Sequence, residues 1–253
     1  MSAIHASYGD VIKPLTQGLS NFFTAGKTVI LSGFTGTCYH CRFDAAHYHD
    51  ALFARYKTPL PATLSNATAS RKAEFLAGRI AAHNAFIQLD LRPEIIGIGL
   101  RREPQWPPTV LGSISHHGDS AFCMMMPRPA QAPLVSPGID VEKVISADDR
   151  ALLSPSILSH EDLEFIHGNF VNIEYGFTVV FSAKEALFKA LHPAVGRYFD
   201  FLDVKISSIH TERCELELRL VTNLSAQLLN AHTVTVYWRR EINTVISWVL
   251  PSH

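Results

Sequence analysis

Apolar residues recur at helical spacing along two stretches of this chain. From Ser70 to Leu89 the repeat runs through Ala73, Leu76, Ile80 and Ile87, which predicts a long helix with one buried stripe. Ser70 is placed to cap it, and Glu74 falls in its first turns, where the helix dipole favours an acid. From Phe181 to Leu191 a second amphipathic helix carries Ala183, Leu187, Ala190 and Leu191 on one side. Further helical structure is predicted over 147–166. Strand-like runs cover Ile95–Leu100, Gly112–Ser115, Ala121–Met126, Ile139–Val141, Cys214–Val221, Thr233–Arg239 and Val245–Leu250. Residues 1–58 are mixed, with an apolar piece at Val29-Ile30-Leu31 and turn residues Gly33 and Gly36. Pro127, Pro129, Pro133 and Pro137 form a crossing at which the main boundary is placed. Each half then offers a long helix and about three strands, which predicts an α+β fold of two similar lobes.

With 253 residues, 47% of them hydrophobic, the chain can bury a sizeable core as one large domain or two small ones. Its net charge of −1 supplies no global field toward nucleic acid or membrane, so any polyanion must meet locally gathered Lys and Arg. The four cysteines do not make a disulfide framework in a chain this long. Cys38-Tyr39-His40-Cys41 has no second close pair to complete a zinc site. No apolar run of membrane-spanning length and no secretory signal is visible in the sequence, so a cytoplasmic protein is expected.

The chemistry concentrates in a few segments. In Gly138-Ile139-Asp140-Val141-Glu142 a strand would put both carboxylates on one face and both apolar side chains toward the core. Two acids on one face repel unless solvated or bridged by a cation. On the second helix Glu185 and Lys189 lie four apart, with Lys184 beside Glu185. By itself that pattern is also an ordinary solvated helix face. Gly112-Ser113-Ile114-Ser115-His116-His117-Gly118-Asp119 is rich in donors that suit phosphate, and equally suits a polar hairpin turning at Gly118-Asp119. Arg71 and Arg79 reach one side of the first helix, and Arg101 and Arg102 precede a proline loop; guanidinium forks match phosphate oxygens.

Taken in order, the segments FDAAHYHDALF (43–53), RKAEFLAGRIAAHNA (71–85), REPQWP (102–107), GSISHHGDSAF (112–122), GIDVE (138–142) and FSAKEALFKAL (181–191) resemble the phosphopantetheinyl transferases of the surfactin-synthetase and enterobactin-synthetase type. The enterobactin branch is the nearer one. The resemblance implies two pseudo-symmetric α+β lobes, at 1–133 with an N-terminal extension and at 138–253, with the active site between them. It implies transfer of 4′-phosphopantetheine from coenzyme A to a serine of an apo carrier protein, with magnesium and release of 3′,5′-ADP. Residue by residue, Asp140 and Glu142 match the metal pair, and Glu185 matches a third acid that contacts the metal and is assigned as base. Lys184 and Lys189 match phosphate-contacting lysines. Ser115 and His116 match the pair that touches coenzyme A phosphates, and Arg71 and Arg79 match basic residues near the 3′-phosphate. The basic position before the proline loop falls on Arg101 or Arg102. The helix begins with Phe181 where surfactin-type relatives have Trp, and little beyond residue 192 matches.

Several points stay open at this level. Glu185 or a metal-bound water takes the serine proton, and the ion is magnesium or manganese. The carrier belongs to siderophore or other nonribosomal-peptide synthesis, or to fatty-acid or polyketide synthesis, and docks near 188–203. A monomer is expected. The competing functions are another coenzyme A-dependent transferase, such as an acyltransferase, and a non-catalytic coenzyme A-binding module.

Overall fold

The computed structural model describes residues 21–252. Residues 1–20, where the expected lobe of 1–133 with its N-terminal extension begins, lie outside the described residues. The first half contains β1 (Phe23–Thr28), β2 (Thr37–Phe43), the short α1 (Ala51–Arg55) and the long α2 (Ala69–Gln88). After these come a small hairpin of β3 (Gly97–Ile98) and β4 (Pro104–Gln105), then β5 (Val110–His117) and β6 (Ser120–Pro127). The second half contains β7 (Gly138–Lys143), α3 (Ala147–Ile157), α4 (His160–Asn169) and α5 (Ile173–Val195). It closes with β8 (Val204–His210), β9 (Glu215–Leu220), β10 (Thr233–Arg240) and β11 (Thr244–Val249).

Two antiparallel sheets result, in the order β1-β2-β6-β5 and β7-β11-β10-β9-β8. The expected α+β class is therefore what is seen, with four and five strands in the main sheets rather than three. Each sheet packs a long helix. The buried side of α2 (Ala73, Leu76, Ile80 and Phe86) joins Phe43, Cys41 and Met125 in one core. The buried side of α5 (Phe177, Val180, Leu187 and Leu191) joins Leu216, Leu218, Val236 and Val249 in another.

A third core lies between the lobes. Ile139 and Val141 of β7 and Ile246 and Trp248 of β11 meet Phe122 and Met124 of β6 there. That contact uses the apolar face of β7, so its acidic face is turned toward α5. Gly138 allows the helix to lie close: a Cβ built there would stand 2.2 Å from the carbonyl oxygen of Ala186.

β5 and β7 are the edge strands of their sheets and face each other. No backbone ladder joins them. Instead Ser113 Oγ accepts the Ile139 N–H at 3.1 Å, and Ser115 Oγ accepts the Val141 N–H at 3.2 Å. Hydroxyls two residues apart thus satisfy the edge N–H groups of β7, which would otherwise be buried without partners.

Several element boundaries differ from the sequence reading. Thr68, not Ser70, caps α2, its hydroxyl accepting the Arg71 N–H at 3.2 Å. The stripe ends on Phe86, because Ile87 is only half-buried. The stretch 147–166 is two helices. Leu158 is extended, and Ser159 starts α4 with a capping box to Asp162. The second amphipathic helix begins eight residues before Phe181, capped by Asn172, and ends on Gly196 in the left-handed region at φ 65°. The Ile95–Leu100 strand shrinks to two residues, and β1, β2 and β8 were not anticipated.

Candidate active site

A cavity of about 1640 Å³ opens between the lobes, lined from one side by α2, the β3–β4 hairpin and β5 and from the other by β7 and α5. Arg71, Arg79, Arg101, Arg102, Ser115, His116, Asp140, Glu142, Glu185 and Lys189 all line it. β5 serves two partners by alternation. Ser113 and Ser115 reach β7, whereas Ile114 packs near Gly78 of α2 and His116 meets Arg71 of the same helix.

At the centre is Asp140, 3% exposed. Its Oδ1 accepts from Lys189 Nζ at 2.6 Å and from Ser115 Oγ at 3.0 Å. Its Oδ2 is sealed from solvent and has no hydrogen-bond partner. A buried carboxylate oxygen without a partner costs about 1–3 kcal/mol or more, so this one is an open acceptor position. Lys189 also donates to Ser115 Oγ at 3.1 Å. Glu142, two residues along the strand, pairs with His117 Nδ1 at 3.2 Å, and that contact pushes the His117 imidazole above its ordinary range. Burial raises the Glu185 carboxyl, with Asp140 and Glu142 adding to the rise and Lys189 opposing it. The three acids therefore feel one another electrostatically. They share a cavity wall but are not gathered into a ready ligand shell: among the described residues no three His, Cys, Asp or Glu side chains form such a group.

Toward the first lobe, Arg71 Nη1 donates to His116 Nε2 at 2.8 Å and lies 3.2 Å from Glu74 Oε2. Burial drives His116 down to about 4, so the ring is neutral near pH 7. Arg79 lies over the Phe75 ring and donates to the carbonyls of Ile96 and Gly97. Arg102 sits in the turn of the β3–β4 hairpin at φ 70°, a left-handed conformation that side chains other than glycine rarely take.

The expected phosphate contact of Lys184 is corrected. Its ammonium is buried and saturated, its three N–H groups shared among Asp162 Oδ2 at 2.9 Å and the carbonyls of Ile157, Phe201 and Val204 at 2.9, 3.1 and 2.8 Å. Asp162 is itself 0% exposed and also accepts the Ile206 N–H. Lys184 thus ties α5 to α4 and to the start of β8, away from the cavity. Cys38 and Cys41, three apart on β2, face different cores, and burial pushes both thiols up to about 12. They make no joint ligand pair. Two polar residues escaped the sequence reading as site residues, Glu74 and His117. His117 was legible by alternation, because it follows Ser113 and Ser115 at every second position.

Comparison with known proteins decides the family. Residues 60–126 match the 4′-phosphopantetheinyl transferase N-terminal domain, and residues 136–242 match the 4′-phosphopantetheinyl transferase superfamily. Enterobactin synthase component D of Salmonella typhi is 32% identical over 209 residues, 82% of this chain and 82% of that protein. The chain belongs to the 4′-phosphopantetheinyl transferase superfamily. Enterobactin synthase component D of Escherichia coli strain K12 is 33% identical over 174 residues, 68% of this chain and 78% of that protein. The 4′-phosphopantetheinyl transferase PptT of Mycobacterium tuberculosis is 29% identical over 153 residues. As a phosphopantetheinyl transferase the protein is an enzyme that uses coenzyme A as donor and carrier proteins as acceptors. Among its described residues no helix is long and apolar enough to cross a membrane.

Proposed function

We propose that the cavity between a lobe spanning 1–133 and a lobe spanning 138–253 is where this transferase moves 4′-phosphopantetheine from coenzyme A to a carrier-protein serine. The unpartnered Oδ2 of Asp140 carries the reading: a buried anionic oxygen on a wall shared with Glu142 and Glu185 asks for a positive partner. The donor set suits magnesium, which prefers oxygen ligands and usually takes one or two carboxylates together with waters and substrate phosphate. Asp140, Glu142 and Glu185 would hold it. When bound, it supplies a Lewis acid that neutralises charge on the pyrophosphate.

The chain's own groups do the rest. Lys189 and Ser115 hold the pyrophosphate end. His116, Arg71, Arg79 and one of Arg101 and Arg102 hold the remaining phosphates through charge-assisted hydrogen bonds. Glu185 takes the serine proton; its raised affinity for protons suits a base poised nearer neutrality. The serine oxygen then bonds to the phosphorus attached to the pantetheine arm, and the bond from that phosphorus to 3′,5′-ADP breaks. Positioning and charge stabilisation supply most of the rate.

The relatives named enterobactin synthase component D favour carriers of siderophore or other nonribosomal-peptide synthesis. Within the expected docking stretch 188–203, Phe199 is buried in the core, so the carrier would meet the exposed Tyr198, which packs against Phe188 beside the cavity. A cytoplasmic monomer completes the reading. The test is mass spectrometry of apo carriers incubated with coenzyme A and magnesium. A phosphopantetheine adduct on the carrier serine is expected, and its absence from peptidyl, aryl and acyl carriers alike overturns the proposal.

A further inference from the structure

An acid, Glu74, stands beside Arg71 and His116, on the side of the cavity proposed to hold phosphates. Glu74 lies one turn after Arg71 on α2, and its side chain is 25% exposed. Charge alone would make it a liability beside incoming phosphates. Its contacts give it a different use. Glu74 Oε2 lies 3.2 Å from Arg71 Nη1 and 3.6 Å from His116 Nδ1. Arg71 Nη1 in turn lies 2.8 Å from His116 Nε2. A guanidinium has only donors, so Nε2 must present its lone pair to Arg71. The single proton of the neutral ring is then on Nδ1, on the side of Glu74. The other charged groups acting on His116 are Lys189 and Asp140 across the cavity.

Resting on the coenzyme A site proposed above, we infer that Glu74 is a positioning residue that sets the proton of His116. In the free enzyme it keeps that proton on Nδ1 and holds Arg71 against Nε2. When a phosphate draws the Arg71 guanidinium away, Nε2 takes a proton from solvent and donates it as a hydrogen bond to a phosphate oxygen. The carboxylate at Nδ1 sustains the resulting imidazolium, as an acid behind a histidine does in hydrolytic triads. The energetic logic is a trade. Repulsion between Glu74 and the substrate is offset by a second cation that exists only when the substrate is present.

The test uses the whole enzyme and coenzyme A without carrier. Nitrogen-15 resonances of the His116 ring should report the Nδ1–H tautomer in the free protein and an imidazolium in the complex. Calorimetry in buffers of different ionisation enthalpy should show wild type taking up about one proton more than E74Q on binding at pH 7. Because E74Q can still accept from Nδ1–H, E74A is added, and its free enzyme should shift toward the Nε2–H tautomer. Coenzyme A binding to wild type and E74Q with equal proton uptake overturns the role of Glu74 while leaving the site intact. No coenzyme A binding to wild type overturns the site and this inference together.

Discussion

Two lysines five residues apart on α5 each meet an aspartate, and the two pairs could hardly differ more. Lys184 and Asp162 are 1% and 0% exposed at the side chain, and every donor and acceptor around them is matched. Lys189 and Asp140 are 26% and 4% exposed, and Asp140 keeps one oxygen without a partner. Both ion pairs cost desolvation. The first recovers it within the fold, joining α5 to α4 and β8. The second leaves part of it unrecovered at the wall of a cavity. The comparison shows which pair belongs to structure and which to binding: saturation marks the strut, and the missing partner marks the site.

Asp162→Ala attacks the strut most directly. It strands a buried ammonium and removes the Asp162 half of the α4 capping box, so a loss of about 3–5 kcal/mol is expected in denaturant unfolding. Pairing Lys184→Met with Asp162→Leu should recover part of that loss, because no unpaired charge remains. A normal unfolding midpoint for Asp162→Ala would show that the network carries little. The opposite profile is expected for Asp140→Asn. Transfer should fall by about 10²–10³-fold while the unfolding midpoint stays near wild type, the scale for removing one electrostatic stabiliser. Wild-type transfer in that variant would end the assignment of Asp140.

Gly138→Ala probes the distance between the two elements that make the site. The new methyl meets the Ala186 carbonyl and must push α5 from β7, at about 1–3 kcal/mol. It should also weaken the Lys189–Asp140 contact, read as lost transfer at saturating substrate. The smallest effect is one of pH. Burial and the neighbouring acids raise Glu185 above its ordinary value in the folded state. The folded protein therefore holds a proton that the unfolded chain has released. The contribution of Glu185 to stability is greatest at acid pH and declines as pH rises from the ordinary carboxyl value through the raised one. Glu185→Gln should flatten that slope in thermal melts. If Glu185 is the base, wild-type transfer should rise over the same window, and the variant should lose that rise together with most of its activity.

Where periodicity was strong, the fold was legible. The stripe on α2 through Ala73, Leu76 and Ile80 and the alternation in β7 are legible because each element buries one face. β1 exposes five of its six residues, so no alternation announced it. The break at Leu158–Ser159 does carry a sequence signal, Ser159 followed three residues on by Asp162, the capping-box spacing. For Lys184 the signal was present and was outweighed by the motif. Leu191 stands seven residues on and Leu187 three, so Lys184 shares their buried face. Its partner, 22 residues earlier, could not be read from spacing. The open oxygen of Asp140 was equally out of reach, because it depends on how many donors the fold brings to a carboxylate.

The hydroxyl seam between β5 and β7 has a mechanical consequence. A backbone ladder fixes two strands in whole-residue steps, and sliding one past the other breaks every rung. Here each tie ends on a serine hydroxyl, and that of Ser115 is itself held by Asp140 and Lys189, so the register of the seam is set by side chains of the site rather than by backbone rungs. The cavity lies beside this seam, and Ser115 belongs to both.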